Sequence, residues 1–252
     1  MNESEIDARG LVFDRRLMLV DANGTYVTQR DFPTMSLIEP TILDEQTLSL
    51  EAPGMDPFRL QLRPMGTQVA ITVWNDADIA IDQGEAAANW FSEFLDNRCR
   101  LVRIGEEYRR VKSHNGVRAE LSFSDHSPVV VAVQESLEQI NETRKSAFTM
   151  SRFRPNVVID GCQPLDEYSW SRFRMGRMLF EVIRVCDRCS IVSVEQETGE
   201  RKCPPLSLLP SIRSDNKRPV FGLHAGPLEL GTLRVGDEVT VEQTQENEVV
   251  FC

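Results

Sequence analysis

The sequence predicts a mainly β fold with some α, of the α+β class. Three observations carry this expectation. Short apolar runs bounded by turn residues recur along most of the 252 residues. Only one long segment, Asp82 to Asp96, shows clear helical periodicity. The turn chemistry is that of hairpins, with Asn23-Gly24 between two apolar runs. Asn-Gly supplies the positive φ angles of a tight two-residue turn.

Residues 11–21 (LVFDRRLMLVD) and 25–30 (TYVTQR) read as the strands of that first hairpin. Further strand candidates are 47–52, 58–63 and 68–74. Ala86, Ala87, Trp90, Phe91, Phe94 and Leu95 then fall at helical spacing, and their face is expected to pack in a core. RLVRI (100–104) returns to strand. The polar stretch 106–120 reads as a mobile loop, and the domain boundary is placed there, giving domains 1–105 and 106–252. Residues 128–133 read as a buried strand and 135–141 as a short helix. Strands are expected at 156–160, 177–185 and 190–194. PLSLLPSIR (205–213) reads as a short helix with Pro204 and Pro205 at its start. Residues 219–225, 231–235 and 238–243 close the chain as strands, with a Gly236-Asp237 turn before the last. Many short strands with few helices point to barrels.

Hydrophobic residues make up 41% of the chain, enough for a packed core. No apolar run reaches the ~18 residues of a membrane span. The polar, acidic start MNESEIDARG is not a signal or transit peptide, so a soluble cytoplasmic protein is expected. The formal charge of −11 argues against nucleic-acid or anionic-membrane partners, which select basic surfaces. Charge is unevenly spread, however. Residues 152–188 hold seven arginines and five acids. Such an excess marks either surface ion pairs or an anionic ligand.

Six cysteines do not make a disulfide framework in a chain of this length. Cys99, Cys162 and Cys252 look incidental. Cys186-Asp187-Arg188-Cys189 has four readings. A zinc site needs four ligands, and only Cys203 and the distant His224 could complete it. A thioredoxin-type dithiol sits where a strand feeds a helix, whereas a strand is expected to follow here. Two buried structural thiols, or one thiolate holding a soft metal with Arg188 favouring the ionised form, remain open on spacing alone.

The surroundings add a longer pattern. Cys186-Asp187-Arg188-Cys189 leads through Glu195, Thr198 and Gly199 to Pro205-Leu206 and Arg213. Upstream stand Ser124-Asp125-His126-Ser127-Pro128 and Phe153-Arg154-Pro155-Asn156-Val157-Val158, then Ile159-Asp160-Gly161. Phe221-Gly222 and Arg234-Val235-Gly236-Asp237 follow. Near the start are Gly10-Leu11-Val12-Phe13-Asp14-Arg15, Leu17-Met18-Leu19-Val20-Asp21 and Thr28-Gln29-Arg30. In series, these motifs resemble the MOSC superfamily. The match is to the branch that includes the mitochondrial amidoxime-reducing component and its bacterial relatives.

That resemblance implies an N-terminal MOSC-type β-barrel-like domain packed on a C-terminal MOSC β-barrel. It implies a molybdenum cofactor of the molybdopterin type, with Cys189 as metal ligand and Cys186 as a non-ligating thiol. Arg154 and Asn156 would hydrogen-bond the pterin, with Ser127 and His126 beside them. Asp187, between the cysteines, is also among the implied cofactor-binding residues, and Arg15 would meet the cofactor phosphate. The implied reaction is reduction of an N-hydroxylated or related N-oxygenated small molecule, with His126 as a candidate proton donor. The alternative is a cofactor or sulfur carrier without turnover. Relatives usually begin with a Y-P-x-K-S strand whose Lys and Ser contact the phosphate. This sequence starts at Met1, after that point, so the cofactor is expected to be poorly retained or absent on purification. Some bacterial relatives append a ferredoxin domain. Here the sequence stops at Cys252, so electrons are expected from a separate flavin, ferredoxin or cytochrome-type protein.

Overall fold

A computed structural model describes residues 2–114, 116–202, 206–212, 218–246 and 249–250. The chain is mainly β with some α, and it forms two compact units, each discontinuous in sequence. One unit holds residues 15–110 and 194–201. The other holds residues 1–14, 111–193 and 202–252.

Strands β1 (Glu3–Asp7) and β2 (Gly10–Leu11) belong to the second unit. The first expected strand, 11–21, is broken: residues 12–15 turn, with Phe13 and Arg15 at positive φ, and β3 (Leu17–Val20) starts afterwards. Its hairpin partner is β4 (Tyr26–Val27). A 3-10 turn at Pro33–Leu37 leads to the meander β5 (Glu39–Asp44), β6 (Thr47–Glu51) and β7 (Phe58–Gln61). β8 (Gln68–Val73) and β9 (Asp76–Asp82) form the next hairpin.

Helix α1 (Glu85–Leu95) buries Ala87, Ala88, Trp90, Phe91 and Leu95, while Ala86 faces solvent. Arg100 clasps Asp82 at 2.6 Å and Glu85 at 2.8 Å, tying the strand that precedes the helix to the strand that follows it. Asp96 ends the helix in the left-handed region, and β10 (Arg100–Arg103) enters the sheet. Sheet order is β4-β3-β10-β9-β8. A parallel bridge, Thr25 to Thr72, links its two edges, so the sheet curls toward closure as a small barrel does. Gly24 is required there: a β-carbon would stand 2.2 Å from the Ala70 carbonyl oxygen.

The other unit opens with β11 (Val111–His114) and β12 (Val117–Glu120), an antiparallel pair in the stretch expected to be a mobile loop. Polar residues on both faces hid the alternation. β13 (Val129–Val133) feeds α2 (Gln134–Arg144) and the single turn α3 (Met150–Phe153), and β14 (Val157–Ile159) returns parallel to β13. β15 (Trp170–Met175) and β16 (Met178–Asp187) form a hairpin.

The strand expected at 190–194 is a 3-10 turn, Ser190–Ser193. Both neighbours of β16 in the sheet are already paired, and Ser193 closes the turn by donating to the Ser190 carbonyl at 2.6 Å. The expected helix at 205–213 is a 3-10 turn at Leu206–Leu208 followed by β17 (Ser211–Ile212). Its two end residues, Pro205 and Arg213, lie outside the described ones. β18 (Val220–Pro227), β19 (Gly231–Arg234), β20 (Val239–Thr244) and β21 (Val249–Val250) complete the chain.

The main sheet has the order β14-β13-β18-β16-β15-β20. Val129, Val131, Val133, Phe173, Phe180, Val182, Leu223 and Ala225 form the core on one face. Ala132, Phe221, Leu137, Ile140, Phe148 and Phe153 form a second cluster involving α2 and α3.

Candidate functional site

The site is built on the middle of that main sheet. Register places Val130 opposite His224 and His224 opposite Arg184, one row across β13, β18 and β16. Gly222, at φ 76, makes the row possible. A strand normally alternates faces. Yet Phe221 packs in the α2 cluster while Leu223 packs in the main core. A left-handed residue between them supplies this break in alternation. A β-carbon at Gly222 would meet the Val131 carbonyl oxygen at 2.5 Å, so only glycine fits.

Asn156 extends the row. Its backbone N–H donates to the Val130 carbonyl and its Oδ1 accepts from the Val130 N–H, each at 2.8 Å. One amide thus replaces a strand residue on the edge of β13 and leaves its own NH2 group as a donor. Ahead of it, Arg154 is exposed at φ 50, capping α3 in the left-handed region.

Arg188 joins this segment to the cysteines. Its guanidinium donates to Cys186 Sγ at 2.9 Å and to the Phe153 carbonyl at 2.5 Å, and lies 5.3 Å from the Phe153 ring centroid. Arg154 and Cys189 are each one residue from that link. Buried Arg152 donates to the carbonyls of Val192 and Lys202 at 3.2 and 3.0 Å, tying α3 to the turn after Cys189. Asp187 accepts from Arg184 at 2.5 Å and lies 3.6 Å from Arg218.

The arginine excess of residues 152–188 therefore has two fates. Arg172 and Arg174 pair with Glu181, Glu229 and Glu242 as surface ions. Arg152, Arg184 and Arg188 hold together the segments that carry the expected site residues.

The two cysteines differ in kind. Cys186 is buried at the end of β16, and burial pushes its thiol pKa up, with Arg188 pulling the other way. Cys189 is exposed beyond the strand end. The guanidinium expected to favour a ligating thiolate is turned to Cys186. Among the described residues no three His, Cys, Asp or Glu side chains converge on a metal position. Cys203, the third thiol of the zinc reading, lies outside the described residues, as do Pro205, Arg213 and Cys252.

Ser127 is buried and engaged on both sides, 2.9 Å from the Val129 carbonyl and 2.7 Å from His224 Nδ1. His126 meets the His224 ring edge-on at 5.6 Å. Burial, reinforced by His224, lowers the His126 pKa to about 4. It is therefore neutral near pH 7. Burial next to Arg184 and Arg188 lowers His224 further, to about 3.

Cys189, Arg154, Asn156, Asp187, Ser127 and His126 all belong to this one unit, whereas Arg15 is a turn residue of the other. That other unit holds a cavity of about 240 Å³ lined by Pro64, Gln68, Ile81, Gly105 and Tyr108, and none of the expected site residues line it. Sequence reasoning missed His224 and Arg184 as site neighbours. The signal available was indirect: a histidine two residues after a glycine that breaks strand alternation.

Comparison with known proteins agrees with these motifs. Residues 1–98 match the family model of the MOSC N-terminal beta barrel domain, and residues 118–240 match that of the MOSC domain. Mitochondrial amidoxime-reducing component 1 of Mus musculus is 33% identical over 262 aligned residues, covering 95% of this chain and 76% of that protein. Mitochondrial amidoxime reducing component 2 of Rattus norvegicus is 30% identical, covering 91% and 73%. Molybdenum cofactor sulfurase 2 of Culex quinquefasciatus is also 30% identical, but the match covers 79% of this chain and only 28% of that longer protein.

Proposed function

The chain belongs to the MOSC family, with an N-terminal MOSC β-barrel domain followed by a MOSC domain, and on that premise we propose that it is a molybdenum-cofactor oxidoreductase that reduces N-hydroxylated or related N-oxygenated small molecules. The supporting observation is the inequality of the two thiols. Cys189 is exposed where a soft metal can reach it, while Cys186 is buried, bonded to Arg188 and shifted toward its protonated form. A thiolate ligand must be ionised and accessible. The domains are read as residues 1–105 and 106–252.

The residues present fit the cofactor. Its phosphate and dithiolene are anionic, and Arg154, Arg184, Arg188 and Arg218 bring cations to the segments around Cys189. Arg15 is assigned to the phosphate. The NH2 group of Asn156 is left to donate to the pterin, because Oδ1 is used by Val130. His224 Nε2 is a buried atom without a hydrogen-bond partner among the described residues, and so suits a donor from a bound molecule. Ser127 acts through His224, since both its contacts are already taken. Asp187 is assigned to the cofactor site, where it holds Arg184 in place.

When bound, the cofactor supplies the two-electron redox chemistry. The overall reaction breaks the N–O bond, consumes two electrons and two protons, and releases the N–H product and water. The electrons come from a separate redox protein. The acidic chain is assigned a cytoplasmic setting, with neither nucleic acid nor membrane as partner. Likeness to a protein named molybdenum cofactor sulfurase favours a second reading, a carrier of cofactor or sulfur. Protein made in a cofactor-competent host should convert an N-hydroxyamidine to the amidine when given a reduced dye as electron donor. Bound molybdenum without any amidine formed would replace the reductase reading with the carrier.

A further inference from the structure

His224 is buried in the middle of the main sheet, and the contacts of Ser127 favour one of its two tautomers. Ser127 Oγ lies 2.9 Å from the Val129 carbonyl oxygen and 2.7 Å from His224 Nδ1. A carbonyl only accepts, and a hydroxyl has one proton. Both contacts are satisfied when Ser127 donates to Val129 and His224 donates its Nδ1–H to Ser127. Burial keeps the ring neutral, so it carries no second proton. Nε2 is then a bare lone pair.

That lone pair is buried and has no hydrogen-bond partner among the described residues. Such atoms are rare in folded proteins and call for a partner that is sometimes a bound molecule. The ring stands in the row Val130–His224–Arg184. The same row carries the Asn156 anchor at one end and the Arg184–Asp187 pair at the other.

We propose that His224 is a positioning residue whose Nε2 accepts a hydrogen bond from a neutral N–H or O–H group of the molecule held at Cys189, with Ser127 fixing the tautomer that makes it an acceptor. The occupant rests on the cofactor reading above. Two sources share the required chemistry: a ring N–H of the pterin and the N–OH of a substrate. A carboxylate is excluded, because it brings no proton at neutral pH.

The test is nuclear magnetic resonance on protein labelled with ¹⁵N-histidine, with molybdenum content measured on each sample. Three states are compared: cofactor-free, cofactor-loaded, and cofactor-loaded with an N-hydroxyamidine. The cofactor-free protein should show a neutral His224 protonated at Nδ1. The Nε2 resonance should then move toward the hydrogen-bonded range on loading if the pterin is the donor, or only on adding the N-hydroxyamidine if the substrate is. His224→Gln, whose amide oxygen reaches the place of Nε2, should keep most of the binding. His224→Phe should weaken it about threefold to tenfold, the measure of one neutral hydrogen bond. The weakening appears as faster molybdenum loss in the first case and as a raised KM in the second.

A ring protonated at Nε2, or an Nε2 resonance unmoved in both loaded states, overturns the proposal. A chain that takes up no molybdenum overturns the cofactor reading, and with it the occupant assigned to Nε2. The tautomer is read from the cofactor-free sample in either event.

Discussion

Arg188 connects the two segments on which the site depends, because one guanidinium reaches both Cys186 Sγ and the Phe153 carbonyl. The sequence makes Arg188 conspicuous as a neighbour of two cysteines, but not which of them it serves. That choice follows from β16, which carries Cys186 inward and releases Cys189 at its end. Ser127 and His126 are legible by motif, while their partner His224 lies 97 residues beyond Ser127 and is brought in only by strand register.

A second buried group in this unit gives a pH prediction. Glu167 is fully buried, accepts from Ser136 Oγ at 2.7 Å, and burial pushes its carboxyl pKa up to about 7. The fold therefore prefers the protonated form. The stability this contributes is full below the unfolded value of 4.5 and is lost as pH rises through about 7. Glu167→Gln keeps the shape without the titration. Between about pH 4 and pH 8 the wild type should lose on the order of 3 kcal/mol relative to this variant, because each pH unit separating the folded from the unfolded pKa is worth about 1.4 kcal/mol. Urea unfolding across that range checks it, and parallel stability curves would contradict it.

At the scale of elements, those with a strong apolar pattern are legible. α1, β6, β8, β10, β13, β16 and β18 fall within a few residues of their expected places. Strands without such a pattern, among them β1, β11 and β12, are not. β1 reads Glu-Ser-Glu-Ile-Asp and is held by pairing with β19, which no local pattern announces. The β11–β12 pair carries Asn115-Gly116 between its strands, the same dipeptide that marks the first hairpin, but its flanks are too polar to show alternation. The turn at Ser190–Ser193 reads as a strand because Ile191, Val192 and Val194 have the side chains of one. β18 offers the sharpest element-level test. Gly222→Ala puts a side chain at φ 76 and 2.5 Å from the Val131 carbonyl. The backbone strain alone costs about 1–3 kcal/mol. The urea midpoint should fall, and the ¹⁵N signals of His224 should move with it. An unchanged midpoint would mean that β18 does not need its left-handed residue.

For the whole molecule, the two compact units draw on interleaved stretches of chain. Six of the seven expected site residues nonetheless lie in one unit, carried by β13, β16, the segments around them and the α3 cap. The central claim is that this unit holds molybdenum through one thiol of the pair. Molybdenum per chain, measured side by side for wild type, Cys189→Ser and Cys186→Ser made in a cofactor-competent host, tests it most directly. A neutral hydroxyl is a poor ligand for a soft metal. Cys189→Ser should therefore lose the metal, and Cys186→Ser should keep most of the wild-type content. Equal loss in both variants, or full retention in Cys189→Ser, would contradict the assignment.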